Sequence, residues 1–200
     1  MHRDRLAAVL RAIRETGARR VADLGCGDGD LLVMLAAEPG IDRVHGLDPA
    51  PDALGRLRSR LGALPGKSAE VTLAQGSVLD PGLRLPPLEC AVLVEVIEHL
   101  DPGRLSRMER AVFAGLAPDA VIVTTPNAEF NGLLGVPPHR FRHPDHRFEW
   151  DRPRFRRWAG DAGAKWAYTV ACRDIAGCHP VLGGASQMAV FRRNRPETGN

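Results

Sequence analysis

Three glycines at alternate positions, Gly25, Gly27 and Gly29, follow the short apolar run Arg20-Val21-Ala22-Asp23-Leu24, and a helical pattern begins at about Asp30. Glycine takes left-handed backbone without penalty and lets the main chain come close to a ligand. The arrangement predicts a strand, a tight turn and a helix, with a ligand at the turn. A G-x-G-x-G run by itself also suits a dinucleotide, but the G-x-G-x-x-G spacing of such sites is absent.

The rest of the chain repeats the alternation of strand and helix. Arg43–Asp48, Val71–Ser77, Cys90–Val94 and Ala120–Thr125 read as further strands. Leu6, Val9, Leu10 and Ile13 mark a helix over 3–16 that ends at Gly17. Leu54, Leu57, Leu61 and Leu64 mark a second, and Leu105, Met108, Val112 and Leu116 a third, opened by Asp101 and Pro102. Asp151 caps a fourth, with Phe155 and Trp158 inward. Segments 165–175 and 186–192 read as a closing antiparallel pair. A chain of 200 residues fits one domain. We expect residues 1–194 to form it and 195–200 to be a tail.

In open α/β sheets, ligands bind beyond the carboxyl ends of the strands. The glycine turn, Asp48, Ser77 and Glu95 all stand at such ends. Asp48 is placed to accept hydrogen bonds from both ribose hydroxyls of an adenosine, and Ser77 to meet the adenine edge; an exposed loop acid is the alternative for Asp48. After Val94 comes Glu95-Val96-Ile97-Glu98-His99. If the chain turns helical there, Glu95, Glu98 and His99 stand at i, i+3 and i+4 on one face, a ligand set for a divalent cation. The alternative is a solvated acidic turn.

Composition narrows the setting. The chain is 44% hydrophobic and 26% charged, and no apolar run is long enough to span a membrane. Arg3, Asp4, Arg5, Arg11, Arg14 and Glu15 leave no signal-peptide core at the N-terminus. Cys26, Cys90, Cys172 and Cys178 form no C-x-x-C pair, so free thiols and a cytoplasmic setting are expected. The net charge of +3 is uneven, with seven arginines between Arg140 and Arg157 interleaved with Phe141, Phe148, Trp150, Phe155 and Trp158. Arginine with aromatics suits single-stranded nucleic acid; a helix with solvated arginines and core aromatics is the alternative.

D-L-G-C-G-D-G at 23–29 resembles motif I of the Rossmann-like methyltransferases that bind S-adenosylmethionine. With E-V-I-E-H-L at 95–100, T-P-N-A-E-F-N at 125–131, D-H-R-F-E-W-D-R at 145–152 and S-Q-M-A-V-F at 186–191, the chain resembles the methyltransferase domain of the Hen1 family from about Arg5 to Phe191. The resemblance implies a class I methyltransferase fold, a mostly parallel seven-stranded sheet with helices on both faces. It also implies methylation of the 2′-oxygen of the 3′-terminal nucleotide of RNA. Arg5, Asp23, Gly25, Gly27, Asp48 and Ser77 would bind the donor. Glu95, Glu98, His99 and a histidine of 143–146 would hold a catalytic metal: Mn2+, Co2+ or Mg2+. His146 lies inside D-H-R-F-E-W and is assigned the fourth place, leaving His143 to RNA or solvent. A metal chelated by both hydroxyls of a terminal ribose would select the RNA end, with the arginines of 140–157 on the terminal phosphates. Bacterial members carry an additional N-terminal domain, whereas this sequence opens on the methyltransferase part. The resemblance implies RNA repair beside an end-healing and ligating partner for a bacterial member and small silencing RNAs for a eukaryotic one; the Arg-, Ala-, Gly- and Pro-heavy composition suits a GC-rich bacterium, which favours repair. Two other readings stand beside this one: a metal-independent small-molecule methyltransferase, and an RNA-binding subunit of the same fold without catalysis.

Overall fold

The computed structural model describes residues 1–194; the expected tail, 195–200, lies outside the described residues. One seven-stranded sheet runs β3-β2-β1-β4-β5-β7-β6. Its strands are β1 (Arg20–Leu24), β2 (Arg43–Asp48), β3 (Glu70–Gln75), β4 (Cys90–Val94), β5 (Ala120–Pro126), β6 (Tyr168–Ile175) and β7 (Ser186–Arg193). The first five are parallel; β7 runs antiparallel between β5 and β6. This is the class I methyltransferase fold, and each strand lies within a few residues of its sequence-based bounds.

Successive strand residues point to opposite faces, and both faces are covered. Val21, Val44, Val92 and Ile122 pack with α1 (His2–Thr16), α2 (Asp30–Ala36) and α3 (Pro51–Gly62). Ala22, Leu93 and Val123 pack on the other face with α4 (Leu105–Glu109), its π-helical continuation Arg110–Leu116, and α5 (Arg152–Trp166). Gly17 ends α1 in left-handed geometry, and Asp151 caps α5 by accepting from the Arg154 amide. Glu109 joins the last two helices: its carboxylate accepts from Trp158 Nε1, Lys165 Nζ and Trp166 Nε1. The four cysteines are free. No helix among the described residues is long and apolar enough to cross a membrane.

Sheet order places the switch point between β1 and β4, whose following chains part to opposite faces. The crevice forms there. Gly25 has φ 84°, and a Cβ on it would come within 2.7 Å of Val96 on the β4 side. Glycine is therefore required where the two walls of the crevice meet.

A candidate donor pocket beside a metal-ligand cluster

Two cavities adjoin the glycine turn and share Gly25. One, of about 120 Å³, is lined by Arg5, Asp23, Cys26 and Asp30 among others. The other, of about 400 Å³, is lined by Asp48, Ser77, Glu95, Val96 and His99 among others. A larger hollow of about 490 Å³ lies by Gly17, Glu89 and Ala120, at the amino ends of β4 and β5, away from the strand ends that carry this chemistry. The six residues expected to bind the donor thus divide around one turn. Asp48 braces that turn, its Oδ2 accepting from the Gly27 amide at 2.7 Å and its Oδ1 from the Ala50 amide at 2.9 Å. Asp23 is buried; desolvation, and then the charge of Asp48, push its pKa up to about 7.

The acidic stretch departs from a simple helical turn. Its 3₁₀ turn spans only Ile97–His99, and Glu95 takes left-handed backbone at φ 55°. Its amide donates to the Thr124 carbonyl and so prolongs the β4–β5 ladder by one bond. Glu95 is held by Arg5 Nη1 at 3.1 Å, Thr124 Oγ1 at 3.0 Å and Ser186 Oγ at 3.4 Å. Arg5 therefore lines the smaller cavity while pairing with a carboxylate of the larger one.

Of the four expected ligands Glu98, His99 and His146 converge, one ligand atom from each lying within 4.8 Å of the others, while Glu95 is outside that group with both oxygens hydrogen-bonded. Glu98 is fully buried. Its Oε2 accepts from Thr125 Oγ1 at 2.9 Å, while its Oε1 is buried with no partner. A buried carboxylate oxygen without a hydrogen bond is costly, and this carboxylate converges with two imidazoles. A divalent cation fits that deficit. Burial, and then the neighbouring Glu95, raise the Glu98 pKa well above the ordinary carboxylate range. Burial and the nearby His146 lower that of His99, favouring the neutral imidazole a metal requires.

Sequence reasoning missed Glu149. Its Oε1 accepts from His146 Nδ1 at 2.5 Å and from the Arg142 amide at 2.7 Å, and its Oε2 from Asn131 Nδ2 at 2.6 Å. Burial alone would raise its pKa, but these hydrogen bonds, that of His146 foremost, lower it on balance. An ionised Glu149 assigns the proton to His146 Nδ1 and leaves Nε2 free as a ligand. The available signal was its place three residues after His146 in D-H-R-F-E-W. The whole segment is drawn to the turn by the Arg147 amide, which donates to the Glu98 carbonyl at 2.7 Å. His143 is more than half exposed beside the pair, 6.0 Å from His99 between ring centres.

The basic aromatic segment divides between both of its readings. Phe148, Trp150 and Phe155 are core. Arg142 donates to the Asn127 and Ala185 carbonyls, and Arg152 pairs with Glu129. Arg140, Arg147 and Arg157 are exposed and form no ion pair among the described residues.

Comparison with known proteins agrees with this fold. The family described as "Methyltransferase domain" matches residues 22–122. The Small RNA 2′-O-methyltransferase of Gallus gallus is 36% identical over 99% of this chain and 55% of its own length. This chain thus spans about half the length of that curated relative. The crystal structure of the methyltransferase domain of bacterial CtHen1 is 35% identical, with a TM-score of 0.84, over 97% of this chain and 99% of that one. A chain in the structure of the Pnkp1/Rnl/Hen1 RNA repair complex is 20% identical with a TM-score of 0.66, a likeness of fold alone. With the fold, the glycine turn and the Glu98–His99–His146 cluster in one frame, the chain belongs to the Hen1 family of small RNA 2′-O-methyltransferases.

Proposed function

We propose that this domain transfers the methyl group of S-adenosylmethionine to the 2′-oxygen of the 3′-terminal nucleotide of RNA, with a divalent metal at Glu95, Glu98, His99 and His146. The observation that carries the reading is the orphaned Glu98 Oε1, on a buried carboxylate that converges with His99 and His146, His99 also lining the larger cavity. When bound, the metal supplies Lewis acidity that lowers the pKa of the acceptor hydroxyl.

The chain's own residues do the rest. Asp48 accepts the ribose hydroxyls of the donor, and Ser77 meets its adenine. Arg5 and Asp23 line the smaller cavity, where the methionine end of the donor fits. Glu149 orients His146 and fixes its tautomer. The methyl group leaves the sulfonium sulfur, which keeps the electron pair, and bonds to the ribose oxygen, whose proton passes to solvent. Arg140, Arg147, Arg154 and Arg157, exposed and without an ion pair among the described residues, are the arginines of this segment left to meet terminal phosphates. The biological setting we propose is RNA repair in the cytoplasm beside an end-healing and ligating protein.

The test is methyl transfer to one RNA carrying a free 3′ end, a 3′-deoxy end or a 3′-phosphate, with and without added metal. Transfer only to the free end, and only with metal, is expected. Equal transfer to internal 2′-hydroxyls, or full activity in chelator, overturns the reading.

A further inference from the structure

We propose that a cavity on the flank of α4 binds the phosphodiester backbone of RNA upstream of the terminal nucleotide. The cavity measures about 280 Å³ and is walled by Arg84, Arg107 and Arg110 over a floor that includes Leu83, Ala111 and Ala114. Arg84 comes from the segment between β3 and β4, Arg107 from α4, and Arg110 from its π-helical continuation. No acidic residue lines it.

The charge there is uncompensated. None of the three arginines forms an ion pair among the described residues, and Arg84 donates only to the carbonyl of its neighbour Leu83, at 3.0 Å. Several surface arginines elsewhere are paired: Arg14 with Glu38, Arg19 with Asp42, Arg43 with Glu70. The acids of the surrounding chain are engaged otherwise. Asp80 accepts from the Ser77 amide, Asp101 caps Gly103, and Glu109 is turned toward α5. Positions three apart on a helix are neighbours, and like charges at that spacing repel. Arg104, a further three residues back, is also exposed and without an ion pair among the described residues. A row of guanidinium groups with no counter-charge, around a concave wall, is a phosphate-binding arrangement.

The row starts beside the chemistry. Arg104 is five residues beyond His99 (104 − 99) and Arg107 eight (107 − 99). Leu100 and Asp101 are extended between the turn that ends at His99 and the one that carries Arg104, so the row begins directly after the site in the chain. This periodicity and adjacency favour a nucleic-acid strand over an acidic protein segment. The inference rests on the RNA reading above and adds to it a second anchor. The site would hold strands long enough to reach it more tightly than the shortest acceptors.

The experiment compares the wild type with Arg84→Gln/Arg107→Gln/Arg110→Gln and with Arg107→Gln alone. Binding of a single-stranded RNA long enough to span both sites is measured by fluorescence anisotropy across a salt series. Methyl transfer to that RNA and to a dinucleotide is measured alongside, and melting temperatures report folding. Each lost phosphate contact should lower the salt slope by about 0.7, so the triple variant loses about 2. The expected result is that loss, a KM for the long strand at least tenfold higher, and unchanged kcat and KM for the dinucleotide. If the triple variant does not fold, Arg107→Gln carries the test with its slope loss of about 0.7. An unchanged slope overturns the inference while leaving the RNA reading intact, whether or not the variant has lost an acidic protein partner. Equal loss on the dinucleotide overturns it too. A wild type that transfers to no RNA overturns both.

Discussion

Glu149 Oε1 sits 2.5 Å from His146 Nδ1, with Glu149 nearly inaccessible to solvent. A carboxylate that receives the rear N–H of a metal-binding imidazole sets its tautomer and its direction. Glu149→Gln should therefore weaken metal binding about 10- to 100-fold while donor affinity stays as in the wild type. Calorimetric titration of manganese into the protein, with no RNA present, reads this directly. Wild-type metal affinity in the variant would show that His146 needs no such partner.

Asp48 braces the glycine turn as well as facing the donor cavity. Asp48→Ala should cost donor binding on the order of 1–3 kcal/mol, about 5- to 150-fold in Kd. It should also lower the unfolding free energy, since the amides of Gly27 and Ala50 lose their acceptor. Asp48→Asn keeps one acceptor oxygen and should recover part of both. Calorimetry with S-adenosylhomocysteine and urea unfolding check the two halves; unchanged donor affinity in the alanine variant removes the ribose assignment.

Two imidazoles and two carboxylates make a mixed nitrogen–oxygen ligand set. Magnesium prefers oxygen and keeps its waters, whereas affinity for such sites rises from manganese to cobalt. Manganese or cobalt should therefore support methyl transfer at lower concentration than magnesium. His146→Ala should abolish that advantage and leave donor binding intact. A magnesium optimum at equal low concentration, or full activity of His146→Ala, would contradict the four-ligand site.

Asp23 gives the metal-free protein a pH signature. Its pKa rises from 3.8 to about 7 on burial. An acid raised in this sense binds more protons folded than unfolded, so stability falls as pH rises from about 4 to about 7. The full window corresponds to something on the order of 4 kcal/mol. Buried Glu98 and Glu95 are shifted the same way, so Asp23→Asn should flatten the slope in part. Urea unfolding at both ends of that window, on wild type and variant, measures it. Parallel slopes would mean that Asp23 does not titrate there.

The strands, their order of appearance and the strand-end positions of Asp48, Ser77 and Glu95 were legible because apolar runs and glycine turns are local signals. His146 was legible only through the block around it, since no periodicity ties residue 146 to residues 98 and 99. Glu149 and Arg142 were not legible. Their roles depend on how 127–150 folds back over the turn, through contacts such as Arg147 to Glu98 that have no counterpart in nearby sequence. The same long-range closure converts Arg142 from an expected phosphate ligand into a brace between two carbonyls. Glu95 follows the same lesson: it stands outside the 3₁₀ turn of Glu98 and His99, in left-handed backbone with its amide on Thr124, so helical spacing did not describe how it meets them.

The antiparallel insertion of β7 has a consequence for synthesis on the ribosome. Its first residue, Ser186, pairs with Pro126 at the catalytic end of β5 and donates to Glu95, while Gln187 donates to the Pro126 and Trp150 carbonyls. The segment that closes the site is therefore among the last of the domain to leave the exit tunnel. A nascent chain can pair β1 through β5 and cover one face, yet it holds no finished crevice until the final strand slides between β5 and β6. The strand that completes the crevice is thus the one whose pairing must wait for both of its neighbours.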